Sequence, residues 1–414
     1  MDSRPAPSAA PAPTGLPARV LVDDDLRRSR LTVFFRFFLA LPHLVFLALW
    51  SVMAVLIAGF NWFAILFTGR AVAHDLQARY VRYFAHVVAY LNLAANPFPG
   101  FAGEPGYAVD VEVAPGDRQS RLKTAFRLVL AIPALLLASM FGPSLGSGYF
   151  TLIAAAAFLA WFAALALGRM PQGLRDLIAY ANGYLAQAGA YTLLLTDRYP
   201  SSDPLAARYG APAPEHPVTI TAEGSELRRS RLTVFFRFFL ALPHLVWAFL
   251  WSIAVWLAVA ANWFVTLARG RPAAPLHRFT ARFLRYWIHL TAYLYLVANP
   301  FPGFAGRPGS YPINVSLPEP GRQSRWITAF RAILAIPAMI VWSALANALG
   351  LVALLGWFTG VFAGRMPVGL RNLGVFALRY QAQFGAYLLL LTDRYPYSGP
   401  SLELPREREA SKPG

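Results

Sequence analysis

The chain has 414 residues and a formal net charge of +17, with 57% hydrophobic and only 14% charged residues, against roughly 25% charged residues in soluble domains. It has no cysteine, which excludes disulfides, thiolate metal sites and cysteine nucleophiles. No Asp, Glu, Lys or Arg falls between Arg36 and Arg70, Arg127 and Arg169, Arg237 and Arg269, or Arg331 and Arg365; runs of that length exceed the roughly 18 apolar residues of a membrane span, and arginines that flank them point to lipid rather than nucleic acid.

Residues 1–17 are rich in Pro and Ala and read as a disordered tail, not a signal peptide. Four similar units follow, at 18–106, 107–200, 216–308 and 309–397, with a Pro/Ala-rich linker at 201–215 and a polar tail at 398–414. The first unit opens with a short alternating segment at 19–22. A long apolar run at 31–67 comes next, about 55 Å as one helix against a bilayer core of roughly 30 Å. Its last helix carries Asp75, Arg79, Arg82 and His86 as one polar stripe. The second unit begins with Val109, Val111 and Val113 alternating with Asp110 and Glu112, the period of a half-exposed strand. Its apolar run contains the turn signal Gly142-Pro143-Ser144-Leu145-Gly146-Ser147-Gly148, which predicts a hairpin of two helices here and in every unit. The alternative is a surface helix ending at the proline (Pro42, Pro133, Pro243 or Pro337), followed by one tilted span. In the third unit Leu227 to Val246 repeats Leu26 to Val45 residue for residue, and Arg278, Arg282, Arg285 and His289 repeat the stripe. The fourth unit keeps the Ser-Arg, Phe-Arg and Pro spacing at Arg325, Arg331 and Pro337.

The predicted fold is an all-α integral membrane protein: four repeats of helical hairpin plus amphipathic helix, with a small β-sheet made of one short strand per repeat. The amphipathic helix is expected at the headgroups; a third span with its stripe packed inward is the alternative. Arginine-rich flanks place both termini and the strands on the cytoplasmic side, with the apolar runs in the cell membrane.

Three motifs recur: SRLTVFFRFFLALPH, Trp-Phe followed by Gly-Arg at Gly69, Gly168, Gly270 and Gly364, and the Leu-Thr-Asp-Arg-Tyr-Pro ending at Leu195 and Leu391. Together they resemble the bacterial membrane family catalogued as domain of unknown function 4389, over Arg19 to about Tyr397. The resemblance implies a membrane helical fold, in the inner membrane of a bacterial cell, and no particular activity. The first and third units depart from it, with Asn96 and Asn299 where Asp197 and Asp393 stand.

The residues offer two candidate sites. Arg30, Arg36, Arg79, Arg82, Arg121, Arg127, Arg231, Arg237, Arg282, Arg285, Arg325 and Arg331 are candidates for anionic lipid headgroups, with snorkelling and topology as the plainer account. Asp197, Arg198, Asp393 and Arg394 form either a binding corner or a helix end with local pairing. His43, His86, His244 and His289 lack metal-ligand spacing, and no phosphate loop or nucleophile motif is present. The expectation is a non-enzymatic, multi-pass membrane scaffold or lipid-interacting protein without cofactor or metal; the alternative is a transporter or channel.

Overall fold

The computed structural model describes residues 15–143, 150–206, 209, 211–222 and 227–402; the outer parts of both predicted tails lie outside them. The first unit holds β1 (Ala18–Val22), α1 (Arg30–Thr68) and α2 (His74–Leu91). The second holds β2 (Val109–Val113), α3 (Arg121–Ala125), α4 (Arg127–Phe141), α5 (Leu152–Leu167) and α6 (Gln172–Thr192). The third has β3 (Thr219–Ala222), α7 (Arg231–Phe235), α8 (Arg237–Arg269) and α9 (Ala274–Leu294), and the fourth β4 (Ile313–Ser316), α10 (Arg325–Leu334), α11 (Ile336–Ala363) and α12 (Val368–Leu388).

The apolar runs are not hairpins. α1 is one helix of 39 residues, α8 one of 33 and α11 one of 28. The second unit breaks near the middle of its run, between α4 and α5, and the fourth is interrupted only near the start of its run, at Ala335 between α10 and α11. From Arg36 to Gly69, Arg237 to Gly270 and Arg331 to Gly364 the spacing is equal, whereas Arg127 to Gly168 is eight residues longer. The turn signal is an insertion private to one unit, and its residues 144–149 lie outside the described ones. Both α4 and α5 pack on α6, as α1 packs on α2, α8 on α9 and α11 on α12. Nor do the helices end at the prolines: Pro42, Pro133 and Pro243 lie inside α1, α4 and α8, and Pro337 is in the first turn of α11. The recurrent Gly-Arg motif marks the long helix's end. Gly69, Gly168, Gly270 and Gly364 take φ of 76°, 68°, 69° and 64°, the left-handed cap that a Cβ disfavours.

Each closing helix (α2, α6, α9 or α12) runs back along its long helix, so Arg36 meets the end of α2 and Asn61 meets Gln77 near its start. Within a half, the two units are antiparallel. The start of each long helix lies against the end of its sister's: Arg28 N–H donates to Gly168 O at 3.0 Å and Gln119 N–H to Gly69 O at 2.9 Å. The second half repeats this with Arg229 to Gly364 at 2.8 Å and Gln323 to Gly270 at 2.9 Å. The strands follow the same pairing. β1 runs antiparallel to β2, from Ala18 opposite Val113 to Val22 opposite Val109, and β3 to β4, from Thr219 opposite Ser316 to Ala222 opposite Ile313. Two two-stranded sheets therefore replace the single sheet expected, because each strand's partner is its sister within the same half.

Each half has three layers: the sheet, the two closing helices, and the long helices. The closing helices form the core of each half; α6 and α12 are buried on nearly every side. Part of the stripe turns inward, as Arg82 and His86 reach β2. α1 and α8 bury one narrow stripe, in α1 Val33, Arg36, Ala40, His43, Ala54, Asn61 and Ile65, and expose leucine and phenylalanine elsewhere, whereas α5 and α11 pack on each other and are more buried. By length and composition α1, α8 and α11 suffice to cross a membrane.

The loop after α9 folds back so tightly that a Cβ on Gly306, at φ +57°, would strike the backbone carbonyl of Arg282. Gly303 has nothing within 4 Å of such a Cβ. Gly306→Ala should cost about 1–3 kcal/mol and lower the melting temperature in detergent, while Gly303→Ala leaves it unchanged; equal melting of the two would refute this packing.

Candidate functional site

The most repeated arrangement is a joint at the end of each closing helix. The last carbonyls of a helix have no partner of their own. In each unit the second arginine of the long-helix motif is buried against them. Arg36 donates from Nη1 to Tyr90 O at 2.8 Å and Ala95 O at 2.9 Å, with its guanidinium 4.5 Å from the Tyr90 ring centre. Arg237 does the same with Tyr293 O at 2.7 Å, Ala298 O at 3.0 Å and the Tyr293 ring at 4.3 Å. Arg127 donates to Thr196 O at 2.9 Å under Tyr191, and Arg331 to Tyr387 O and to Thr392 O under Tyr387.

Just past each closing helix a leucine is left-handed: Leu93, Leu194, Leu296 and Leu390, at φ of 68°, 64°, 62° and 62°. That conformation is strained for any residue with a Cβ. Each leucine is buried, and each carbonyl is held by the side chain just before the Ser-Arg motif. Arg28 Nε donates to Leu93 O at 3.1 Å, Gln119 Nε2 to Leu194 O at 2.6 Å, Arg229 Nη2 to Leu296 O at 3.3 Å and Gln323 Nε2 to Leu390 O at 2.8 Å. Arg28 and its copy Arg229 read from sequence as further candidates for lipid phosphates, and the glutamines went unnoticed; aligning the four units shows Arg, Gln, Arg, Gln immediately before the repeated serine.

The Asp-Arg ending belongs to the same joint. Asp197 pairs with Arg127 at 2.6 Å and accepts from Ser120 N–H at the start of α3. Asn96 and Asn299 accept from Arg36 and Arg237 at 3.1 and 3.2 Å. Asp393 accepts from Ser324 N–H at 3.3 Å. The arginine facing Asp197 is thus 70 residues away in sequence. The adjacent Arg198 instead reaches Asp117 at 3.2 Å, and the Arg394 amide donates to Thr392 Oγ1 at 3.1 Å.

A family described as "Domain of unknown function (DUF4389)" matches four stretches, residues 30–102, 121–202, 231–305 and 325–398. The chain belongs to this family. Each matched stretch begins at the arginine that opens the unit's first helix, α1, α3, α7 or α10. No curated protein and no solved structure matches the chain.

The candidate headgroup arginines of these DUF4389 units divide by burial. Arg36, Arg127, Arg237 and Arg331 are enclosed in the joints. Arg82 and Arg285 brace the sheets, each donating from Nε at 3.1 Å, to Val111 O and Val315 O. Arg30, Arg79, Arg121, Arg231, Arg282 and Arg325 are exposed. Of these, Arg30, Arg121 and Arg325 also donate to carbonyls at the end of the sister long helix, Ala166 O, Phe67 O and Ala268 O, at 3.0, 2.9 and 2.9 Å.

The histidines are structural partners. His43 Nδ1 hydrogen-bonds with Tyr83 Oη at 2.7 Å and His244 Nδ1 with Tyr286 Oη at 2.9 Å. No group of three His, Cys, Asp or Glu side chains able to hold a metal occurs among the described residues. His86 Nε2 lies 2.8 Å from Asp110 Oδ1. Burial pushes the Asp110 carboxyl up, but the hydrogen bonds from His86 and the amides of Gly106 and Val111 outweigh it and hold the carboxyl below its ordinary value. In the fourth unit Asn314 stands in its place, accepting from Gly309 N–H at 3.1 Å.

Two equivalent apolar clefts open between long and closing helices. The first half's, among α1, α2, α4 and α6, holds about 280 Å³; the second half's, among α8, α9, α11 and α12, about 450 Å³. A third, of about 580 Å³, lies between the halves beside Tyr184, Tyr199 and Thr359. Next to the first sheet Arg19, Arg82, Arg198 and Glu112 line a polar recess of about 340 Å³.

Two outcomes test the joint and the strand contact. Asp197→Asn should cost no more than about 1 kcal/mol, since an amide serves at Asn96 and Asn299; Asp197→Ala should cost about 1–3 kcal/mol, and Arg127→Met about 3–5 kcal/mol, by thermal melting. A depressed carboxyl contributes stability above its ordinary value and loses it as pH falls through the folded value. The wild-type melting temperature should therefore fall more steeply from about pH 5 to pH 3 than that of Asp110→Asn; parallel curves would remove Asp110 as an acid-sensitive contact.

Proposed function

We propose that this protein is a non-enzymatic membrane scaffold that works through contact with anionic lipids. The observation that carries the reading is the outer surface of the long helices. It exposes Phe34, Phe38, Leu49, Leu56, Phe60 and Phe67 along α1 and a matching series along α8, and it carries the exposed arginines Arg30, Arg121, Arg231 and Arg325 at the helix starts. An apolar surface of this extent is a site of lipid or protein association, and guanidinium groups at its margin suit phosphate. The buried charged groups of the joints bind helix ends, which supports a structural and not a catalytic use. The membrane is assigned as the bacterial cytoplasmic one, with the termini in the cytoplasm, on the arginine-rich flanks.

Antiparallel units within each half also favour a second reading, since transporters are often built from inverted repeats. Solute flux into liposomes, abolished by filling the cleft between the halves with Thr359→Trp, would support it.

For the lipid reading, Arg30, Arg121, Arg231 and Arg325 should all be changed to Gln, which keeps an N–H for the neighbouring carbonyls and removes only charge. Each arginine should contribute about 1 kcal/mol of attraction to an acidic surface, so affinity for phosphatidylglycerol vesicles should drop and lose its salt dependence. Unchanged binding by a folded variant would reject the proposal.

A further inference from the structure

We propose that the long-helix face lies parallel to the membrane within one leaflet, and that none of the described helices crosses the bilayer. This rests on the membrane reading above and specifies its geometry.

The sheets carry the argument. Arg82, midway along α2, donates from Nε to Val111 O at 3.1 Å, and a Cβ on Gly183, midway along α6, would meet Val20. The second half repeats the contact from Arg285 of α9 to Val315. The sheets therefore flank the middles of the closing helices. Among the described residues each strand has one strand partner, so each sheet presents two edges with no strand beside them. Open edges are not tolerated in hydrocarbon, where unpaired backbone groups find no water. Closing helices that crossed the bilayer would carry these edges into its centre. They would also carry Arg79 and Arg282, both exposed and inside their helices, to a depth where charge is costly. The sheet side belongs in water.

The long helices lie on the opposite side of the closing helices from the sheets. With 39 residues in α1, a helix of about 58 Å would overshoot a core of about 30 Å even at a tilt of about 40°. Yet its apolar residues are exposed from Leu31, at 69%, to Phe67, at 77%. A bilayer covers such a helix along its whole length only when the helix lies flat. Antiparallel packing keeps sister helices in that one layer, with arginines at both ends of the layer at headgroup level.

The native chain has no cysteine, so single cysteines report cleanly. Asp25 and Arg70 are exposed and flank α1. In spheroplasts treated with a membrane-impermeant maleimide, Asp25→Cys and Arg70→Cys should behave alike, both labelled or both protected, with full labelling after detergent lysis. Labelling of one and protection of the other would mean that α1 crosses, and would overturn the proposal. A fluorophore on Leu56→Cys in vesicles should be quenched at least twofold more by 5-doxyl than by 12-doxyl phosphatidylcholine; the reverse order would also overturn it. Loss of vesicle association would remove the membrane reading itself, whereas split labelling removes only the in-plane geometry.

Discussion

A buried guanidinium at the end of a short helix is the contact on which the other elements depend. Removing such a charge from water costs several kcal/mol unless hydrogen bonds replace the lost hydration. Here the replacements are backbone carbonyls at and just past the helix end, an aromatic face, and an amide or carboxylate side chain. The fit is incomplete: the Nε atoms of Arg36, Arg127, Arg237 and Arg331 are all buried without a hydrogen-bond partner. Since the omission occurs four times, it belongs to the geometry of the joint. The arginine sits six residues after the one that opens each unit's first helix, so its reach fixes where the closing helix ends and where the chain turns toward the next strand. The left-handed leucine follows from the same constraint. The chain must reverse direction at a point already enclosed, and a leucine that buries its side chain can offset the strain of its backbone.

Charge at the joint is adjustable, geometry is not. Asn96 and Asn299 replace a carboxylate without moving the arginine, and Gln119 and Gln323 replace an arginine without freeing the leucine carbonyl. What all four units keep is a donor or acceptor at a fixed place. A hydrogen bond retains most of its worth when one formal charge is dropped, provided that neither partner is left alone. Alternation between odd and even units therefore leaves the fold intact and redistributes charge between the two ends of each half.

Repeats, apolar runs and strands were legible because they depend on local chemistry, periodicity and motif spacing, whereas the Gly-Arg motif stood out as a repeat and only the structure shows it to be the left-handed end of the long helix. The hairpin was misread for a physical reason. A glycine-rich insertion in one unit looks like a turn, and only the equal Arg-to-Gly spacing of the other three reveals it as an addition. The charged stripe of the closing helices reads as one solvent- or headgroup-facing set, whereas Arg82, His86 and Arg285 meet a strand that local pattern cannot position. Of the candidate residues, Asp197 was singled out for its neighbour Arg198, while its actual partner comes from another helix. Long-range pairing of this kind leaves no trace in a single sequence. The division of arginines into buried and exposed sets is equally invisible there, since both sets share one motif.

Reciprocal packing of sister units has an evolutionary corollary. A solitary unit would have a strand with no mate and a long helix whose last carbonyls lack the neighbour's arginine. The smallest heritable module is thus the pair, not the single repeat. The residue-for-residue identity of 26–45 with 227–246 fits a gene that grew by copying a finished pair, long after the odd and even members had become distinct. Further growth in such a lineage should proceed by twos, and a relative with an odd number of units would need to complete its last one by dimerising.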